Sequence, residues 1–307
     1  MRFKQLRSIE LLDVVATPTG FIFWEALGTL PSLANLTLKA IDPEFDPAYA
    51  PDNSNSQTGG PKYFVALESL CVTGSFFFIQ HLLGFIDSPH LKSIEVNPVI
   101  SHVLNDHQPE DFFTPSTTII ATKWSQSLMN LVISSRSHGT GSAQPYAISK
   151  SLMLLTALHE MQTFRLFNWR MENMNNDVKR LVMSWPKLRT LRLSLNQLVS
   201  LSTLRIIAKN CPELRYLDIR LDISTIPPFD TSSKILRHNL EVLTLGRAYL
   251  VDTISQPMLE CQIKVAQHLD LIFPYLKSIE VQPKDVTWSG IRDLVHLCQN
   301  AGLRRVK

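Results

Sequence analysis

The chain has 307 residues, 45% of them hydrophobic and 19% charged, with a formal net charge of +3. It is too apolar for a disordered protein and long enough for one large or two ordinary globular bodies. Its lysines and arginines are scattered, so no basic run marks a nucleic-acid or membrane footprint.

The opening residues, MRFKQLRSIELLDVV, lack the apolar core and cleavage site of a signal peptide. The longest apolar run, SFFFIQHLLGF from Ser75 to Phe85, is too short to span a bilayer and contains Gln80 and His81. Cys71, Cys211, Cys261 and Cys298 form no close pair and read as reduced, mostly buried thiols. Together these features point to the cytoplasm or nucleus. Without a secretion signal, the sequon at Asn35-Leu36-Thr37 is a coincidence.

A pattern of the form L-x-x-L-x-L, with other aliphatics allowed, runs along the whole chain. LRSIEL begins at Leu6, LANLTL at Leu33, LESLCV at Leu67, LKSIEV at Leu91 and LMNLVI at Leu128. MQTFRL follows at Met161, then LRTLRL at Leu188, LRYLDI at Leu214, LEVLTL at Leu240 and a second LKSIEV at Leu276. LRRV, from Leu303, starts another unit as the chain ends. Successive starts lie 24 to 37 residues apart. A proline stands two residues before the first leucine at Pro31, Pro89, Pro186, Pro212 and Pro274. Ordered recurrence on this scale is the mark of a repeat architecture.

In each unit the last three residues predict a short strand. Alternation sends its two aliphatics inward and the residue between them to the opposite face. Helices are predicted between strands. Val178, Leu181, Val182 and Trp185 keep one helical face, with Asn176 or Asp177 as N-cap. Leu204, Ile207 and Ala208 repeat the arrangement, as do Trp288, Ile291, Leu294, Val295 and Cys298. Phe78 to Phe85, Leu152 to His159 and Ile263 to Phe273 are further helical candidates. Stretches rich in Pro, Gly, Ser, Asn or Asp, at 43–62, 102–116, 134–147 and 222–233, read as insertion loops that follow strands. The expected fold class is α/β: one solenoid over 1–307, a horseshoe with an inner parallel sheet of about ten short strands and helices on the convex side.

These units resemble leucine-rich repeats of the long, helix-containing kind. LRTLRLSLNQL carries the complete signature, ending at Asn196 and Leu198, whereas the asparagine position holds Val14, Asp222 and Ala248 in other units. A regular asparagine ladder is therefore not expected. The proline-before-leucine habit of SWPKLRTLRL and NCPELRYLDI is similar to the repeats that follow the F-box in fungal F-box proteins.

The solvent-facing side of the predicted strands is set by Glu10, Thr37, Cys71, Glu95, Val132, Arg165, Arg192, Asp218, Thr244 and Glu280, with Lys39, Arg220 and Gln282 just beyond. This reads as a concave partner-binding surface, acidic at both ends and basic in the middle. Arg165, Arg192 and Arg220 offer guanidinium forks that match carboxylate or phosphate. The competing reading is a solvated sheet face of mixed charge, with Asp218 neutralising its neighbours. His102, Asp106 and His107, with Glu110 and Asp111, lack a cysteine or a closed ligand set and read as a polar loop, so no metal is expected. GTGS at Gly139 to Ser142 lacks the lysine of a phosphate loop, and no G-x-S-x-G occurs.

The expectation is a non-catalytic recognition module with no cofactor and a protein target on the concave face or the insertion-loop rim. Resemblance to F-box proteins implies the substrate-binding repeats of an SCF-type ubiquitin ligase receptor; the alternative is a free-standing scaffold or inhibitor. An F-box would be a helical segment with a leucine-proline-x-glutamate-like opening, and repeats that start at Leu6 leave it no room. A Skp1-type adaptor is thus a partner only with an F-box upstream. Purified adaptor is expected not to be retained by the 307-residue chain in a pull-down; direct retention would place an adaptor-binding segment inside it.

Overall fold

The alternation within each L-x-x-L-x-L segment becomes a short strand with one aliphatic side buried. A computed structural model describes residues 5–14, 20–40, 62–100, 109–137, 147–194, 197–228, 236, 238–246, 258–281 and 285–303. The chain forms two compact units, Met1–Met161 and Gln162–Lys307.

The first unit contains β1 (Ser8–Val14), α1 (Gly20–Gly28), β2 (Asn35–Ala40), β3 (Ser69–Gly74), α2 (Phe76–Phe85), β4 (Ser93–Ile100), α3 (Pro109–Lys123), β5 (Asn130–Ser134), β6 (Arg136–Ser137) and α4 (Ser149–Leu154), which runs on as a 3-10 turn over Leu155–Ala157. Strands β1 to β5 pair side by side in chain order and in parallel, and β6 pairs with the far end of β4. The second unit contains β7 (Thr163–Phe167), α5 (Met174–Ser184), β8 (Thr190–Ser194), β9 (Val199–Ser200), α6 (Leu201–Asn210), β10 (Tyr216–Ile219), β11 (Leu221–Asp222), β12 (Val242–Leu245), α7 (Met258–Ile272), β13 (Ser278–Val281) and α8 (Val286–Leu303). Here β7, β8, β10, β12 and β13 pair in parallel in that order, and β9 pairs with β11. The chain therefore has the expected α/β repeat architecture, with parallel strands in chain order and helices between them.

Register is kept from coil to coil. Leu36, Leu70, Ile94 and Leu131 are successive partners in the first unit. Phe164, Leu191, Leu217, Leu243 and Ile279 are successive partners in the second. The first leucines of the repeats, from Leu33, Leu67, Leu91 and Leu128 to Leu188, Leu214, Leu240 and Leu276, are all buried. Matching slots follow from the parallel ladder: a one-residue slip would turn every buried aliphatic to the opposite face.

The prolines have a definite job. Each of four begins its repeat at the second position of a four-residue turn, closed by an N–H from the first leucine. Leu33 donates to Leu30 O, Leu188 to Trp185 O, Leu214 to Cys211 O and Leu276 to Phe273 O, at 3.0–3.5 Å. That position wants φ near −65° and needs no donor, which proline supplies at no cost. At Pro89 a serine organises the turn instead. Ser88 Oγ donates to Leu67 O at 2.6 Å and accepts from His90 N at 3.1 Å.

A second backbone device ties the coils together. Within each unit, the residue after the first position of a repeat offers its carbonyl to two consecutive amides of the next repeat. Arg7 O accepts from Ala34 and Asn35, Glu68 O from Lys92 and Ser93, Arg189 O from Arg215 and Tyr216, and Glu241 O from Lys277 and Ser278. A ladder of this kind depends on no particular side chain, so the coils stack without repeated asparagines. Asn196 lies outside the described residues. One amide mimics a strand edge: Met171 N donates to Gln197 Oε1 at 2.8 Å, and Gln197 Nε2 donates back to Met171 O.

Several helix boundaries differ from expectation. Helix α5 starts at Met174, ahead of the expected cap at Asn176 or Asp177. Asp177 sits inside the first turn, where its Oδ2 accepts from Asn173 N at 3.2 Å and holds the helix start from within. Helix α3 takes in residues 109–116, which the loop reading of 102–116 included. Pro109 opens it, as proline favours a first helical position, and Pro115 stands further along. Neither α1 nor α3 is predicted from the sequence: α1 has no acid in its first turn, no base in its last and little polar contrast. The expected loop at 134–147 begins with the end of β5 and with β6, and Asp222 of the loop at 222–233 belongs to β11. Residues 223–228 are non-helical chain with bends, and 43–61, 102–108, 138–146 and 229–233 lie outside the described residues. Lys123 closes the first-unit helix layer: its Nζ donates to Gly84 O at 2.5 Å and Ile86 O at 2.9 Å, at the C-terminal end of α2 where a cation is favoured.

In the turn leading to β12 a histidine replaces the hydrophobe and proline. Leu240 N donates to His238 Nδ1 at 3.1 Å, so Nε2 carries the hydrogen and donates to Cys211 O at 2.8 Å. The Leu240 bond needs the neutral ring, whereas the Cys211 bond is made by either form. Burial lowers the His238 pKa, with the Cys211 carbonyl opposing in part. A lowered histidine pKa gives stability that is complete above the unfolded value of about 6.5 and is lost as pH falls through it. His238→Asn keeps an acceptor for Leu240 N–H but cannot titrate. Urea unfolding between about pH 7.5 and about pH 5.5 is expected to show less loss of stability for this variant than for the wild type. Parallel profiles would remove His238 from the account.

Candidate partner-binding site

The residues between the two strand aliphatics stand in register, as alternation requires. In the first unit Glu10, Thr37, Cys71, Glu95 and Val132 are successive partners across β1 to β5. Glu10 is exposed, and Lys39 beside the row is exposed too. Glu95 is half-buried, and its Oε1 accepts from Asn97 Nδ2 at 3.0 Å. No arginine stands in this row, so its side chains offer acid, hydroxyl and thiol.

In the second unit Arg165, Arg192, Asp218, Thr244 and Glu280 are successive partners across β7, β8, β10, β12 and β13. Arg192 Nε donates to Asp218 Oδ2 at 3.0 Å. The Arg192 guanidinium also lies 5.4 Å from the Phe167 ring centre and 5.6 Å from that of Tyr216. Both rings are within cation–π range, so the guanidinium is held between two aromatics and one carboxylate. Asp218 is 13% exposed, and its pKa is raised: burial outweighs the pull of the Arg192 bond, and Glu280 adds repulsion. Further along, Thr244 Oγ1 donates to Glu280 Oε2 at 2.9 Å. A hydroxyl has one hydrogen, so the 3.0 Å contact between Tyr216 and Thr244 must be donated by Tyr216. The relay Tyr216 to Thr244 to Glu280 fixes the acidic end of the row.

The three arginines differ in their settings. Arg165 and Arg192 are neighbours in register, but Arg192 is already neutralised by Asp218. Arg165 makes no ion pair with any described residue, and its Nε is buried without a hydrogen-bond partner there. Arg220 lies past the end of β10, where a Cβ added to Gly246 would come within 2.6 Å of Arg220 Cγ. Glycine at 246 thus leaves room for the Arg220 stem to lie over the next coil. Gln282 lies outside the described residues. Phe167, Tyr216 and Gly246 went unnoticed in sequence, although the first two obey period two: each stands two residues from a member of the row, on the same strand and the same face.

The remaining chemistry is quickly bounded. Cys211 is fully buried with its Sγ 3.6 Å from Val182 O and Trp185 O, and burial pushes its pKa up to about 12. A thiol so placed stays protonated at neutral pH and packs as a small hydrophobe. Among the described residues no group of three or more His, Cys, Asp or Glu is placed to hold a metal ion, and His102, Asp106 and His107 lie outside them. No helix among the described residues is long and apolar enough to cross a membrane.

A scan against models of known protein families finds no match. A search of curated proteins finds no related chain.

The Asp218 environment makes the two halves of its ion pair unequal. Arg192→Leu strands a largely buried carboxylate and is expected to cost about 1–3 kcal/mol. Asp218→Asn keeps an acceptor for Arg192 and removes a charge that burial already penalises, so it is expected to cost less than about 1 kcal/mol. Urea unfolding of the two variants checks the order, and the reverse order would contradict a burial-dominated Asp218.

Proposed function

We propose that the chain is a non-catalytic protein-recognition module, and that it reads an acidic or phosphorylated segment of its target with the strand face of the second unit. The observation that carries this reading is the row of register neighbours in which Arg165 stands unpaired, among the described residues, beside an Arg192 held by Phe167, Tyr216 and Asp218. A rigid, pre-oriented fork loses little entropy on binding, and its unpaired neighbour supplies the charge. Glu280, anchored by Thr244, sets the opposite sign at the other edge, so a target would be oriented along the row as well as held.

The repeat resemblance supports reading this module as the substrate-binding part of an F-box-type, SCF ubiquitin ligase receptor of fungal kind, working in the cytoplasm or nucleus. In that setting the repeats choose the target, and the adaptor is held by the F-box of the longer receptor. The pronounced irregularity of the repeats, 24 to 37 residues apart, supports this over a free-standing inhibitor built from uniform units.

Affinity capture from cell extract, quantified by mass spectrometry, tests the reading. The double variant Arg165→Glu/Arg192→Glu is expected to lose at least one specific partner of the wild-type chain by about tenfold, with the thermal midpoint monitored to confirm folding. An unchanged set of partners would overturn the assignment of this face.

A further inference from the structure

The strand face of the second unit places an acid of its own against the arginine that would meet an acidic target. Arg192 Nε donates to Asp218 Oδ2 at 3.0 Å, and the two side chains keep 33% and 13% of their surface exposed. An incoming carboxylate or phosphate therefore finds an arginine with a resident anionic partner.

The groups around Asp218 decide what this contact does. Arg192 on β8 supplies the nearest positive charge, with Arg165 one strand further along on β7. On the other side Thr244 of β12 stands in register, and Glu280 of β13 lies beyond it. Arg220 follows on the same strand, past the end of β10. Two hydroxyls are close by in the row, but their hydrogens are directed elsewhere. Tyr216 donates to Thr244, and Thr244 donates to Glu280. The ionised form of Asp218 thus relies on Arg192. Burial raises its pKa more than Arg192 lowers it, and Glu280 adds to the rise. An anion brought to Arg192 shares that counter-charge and adds a like charge nearby. Both changes favour the protonated acid.

We propose that Asp218 is a proton-operated competitor for Arg192: binding of an acidic target is coupled to uptake of a proton by Asp218, so this face holds its target more tightly as pH falls. This rests on the reading of the strand face as the surface that meets an acidic target. The sign follows from linkage. Between the Asp218 pKa of the free protein and the higher one of the complex, the complex carries more protons, so lowering pH through that window favours binding. Above the window Asp218 stays ionised and competes. The window begins above the ordinary aspartate value, because the free carboxyl is already raised.

Inorganic sulfate is the probe, because it carries two fixed negative charges and does not itself titrate near neutral pH. Its binding to the full chain is followed by amide NMR shifts of β7, β8 and β10 at constant ionic strength. The wild type is expected to bind sulfate at least about threefold more tightly at about pH 5.5 than at about pH 7.5. Asp218→Asn keeps an acceptor for Arg192 but cannot titrate; it is expected to bind more tightly than the wild type at the higher pH and to lose that dependence. The Asp218 carboxyl carbon signal, identified by its absence from Asp218→Asn, is expected to titrate at higher pH when sulfate is present. Arg165→Glu/Arg192→Glu is expected to abolish the response on these strands. Equal affinity of the wild type at both pH values, a dependence retained by Asp218→Asn, or an Asp218 titration unmoved by sulfate would overturn the proton coupling and leave the face as an anion site. Absence of binding to the wild type, or equal binding to the double arginine variant, would overturn the reading of the face and the coupling with it.

Discussion

Each unit depends on one repeated backbone interaction: a carbonyl just after the first position of one coil that accepts two consecutive amides of the next. It fixes the start of the main strands against their predecessors within the unit. With the start fixed, parallel pairing carries the register forward, and alternation delivers the same positions to the interior in every coil. Buried aliphatics then stack on buried aliphatics, and the residues between them line up on the other face. A chemically varied row becomes an ordered site without any one side chain holding it in place.

This arrangement explains how irregular repeats can share one architecture. Insertions fall between the end of a strand and the next turn, so they change the spacing without touching the ladder. Turns vary as well. Trp185, Cys211 and Phe273 start proline turns, Ser88 uses its hydroxyl and His238 its imidazole, yet each brings a leucine to a matching slot. Such substitution is tolerated because the turn must satisfy only geometry and one or two backbone groups. A buried histidine brings a price in pH sensitivity that a hydrophobe would not.

On the strand face, charge is distributed unevenly by the same register. Arg192 sits beside both Arg165 and Asp218, and the aspartate is positioned to satisfy only one of them.

The spacing of Leu33, Leu67, Leu91, Leu188, Leu214 and Leu276 was enough to determine the main strands, their parallel order within each unit and the rows from Glu10 to Val132 and from Arg165 to Glu280, because period two and backbone pairing are local rules. The extents of α1 and α3 were not legible. Neither shows a clear polar contrast, and Pro115 reads as a breaker unless the surrounding helix is seen. Nor could sequence tell which arginine Asp218 satisfies, that Phe167 and Tyr216 clasp Arg192, or that Gly246 makes way for Arg220. Those relations join residues of different coils. Tertiary packing alone decides side-chain direction and burial across such distances, and burial decides which charges stand satisfied.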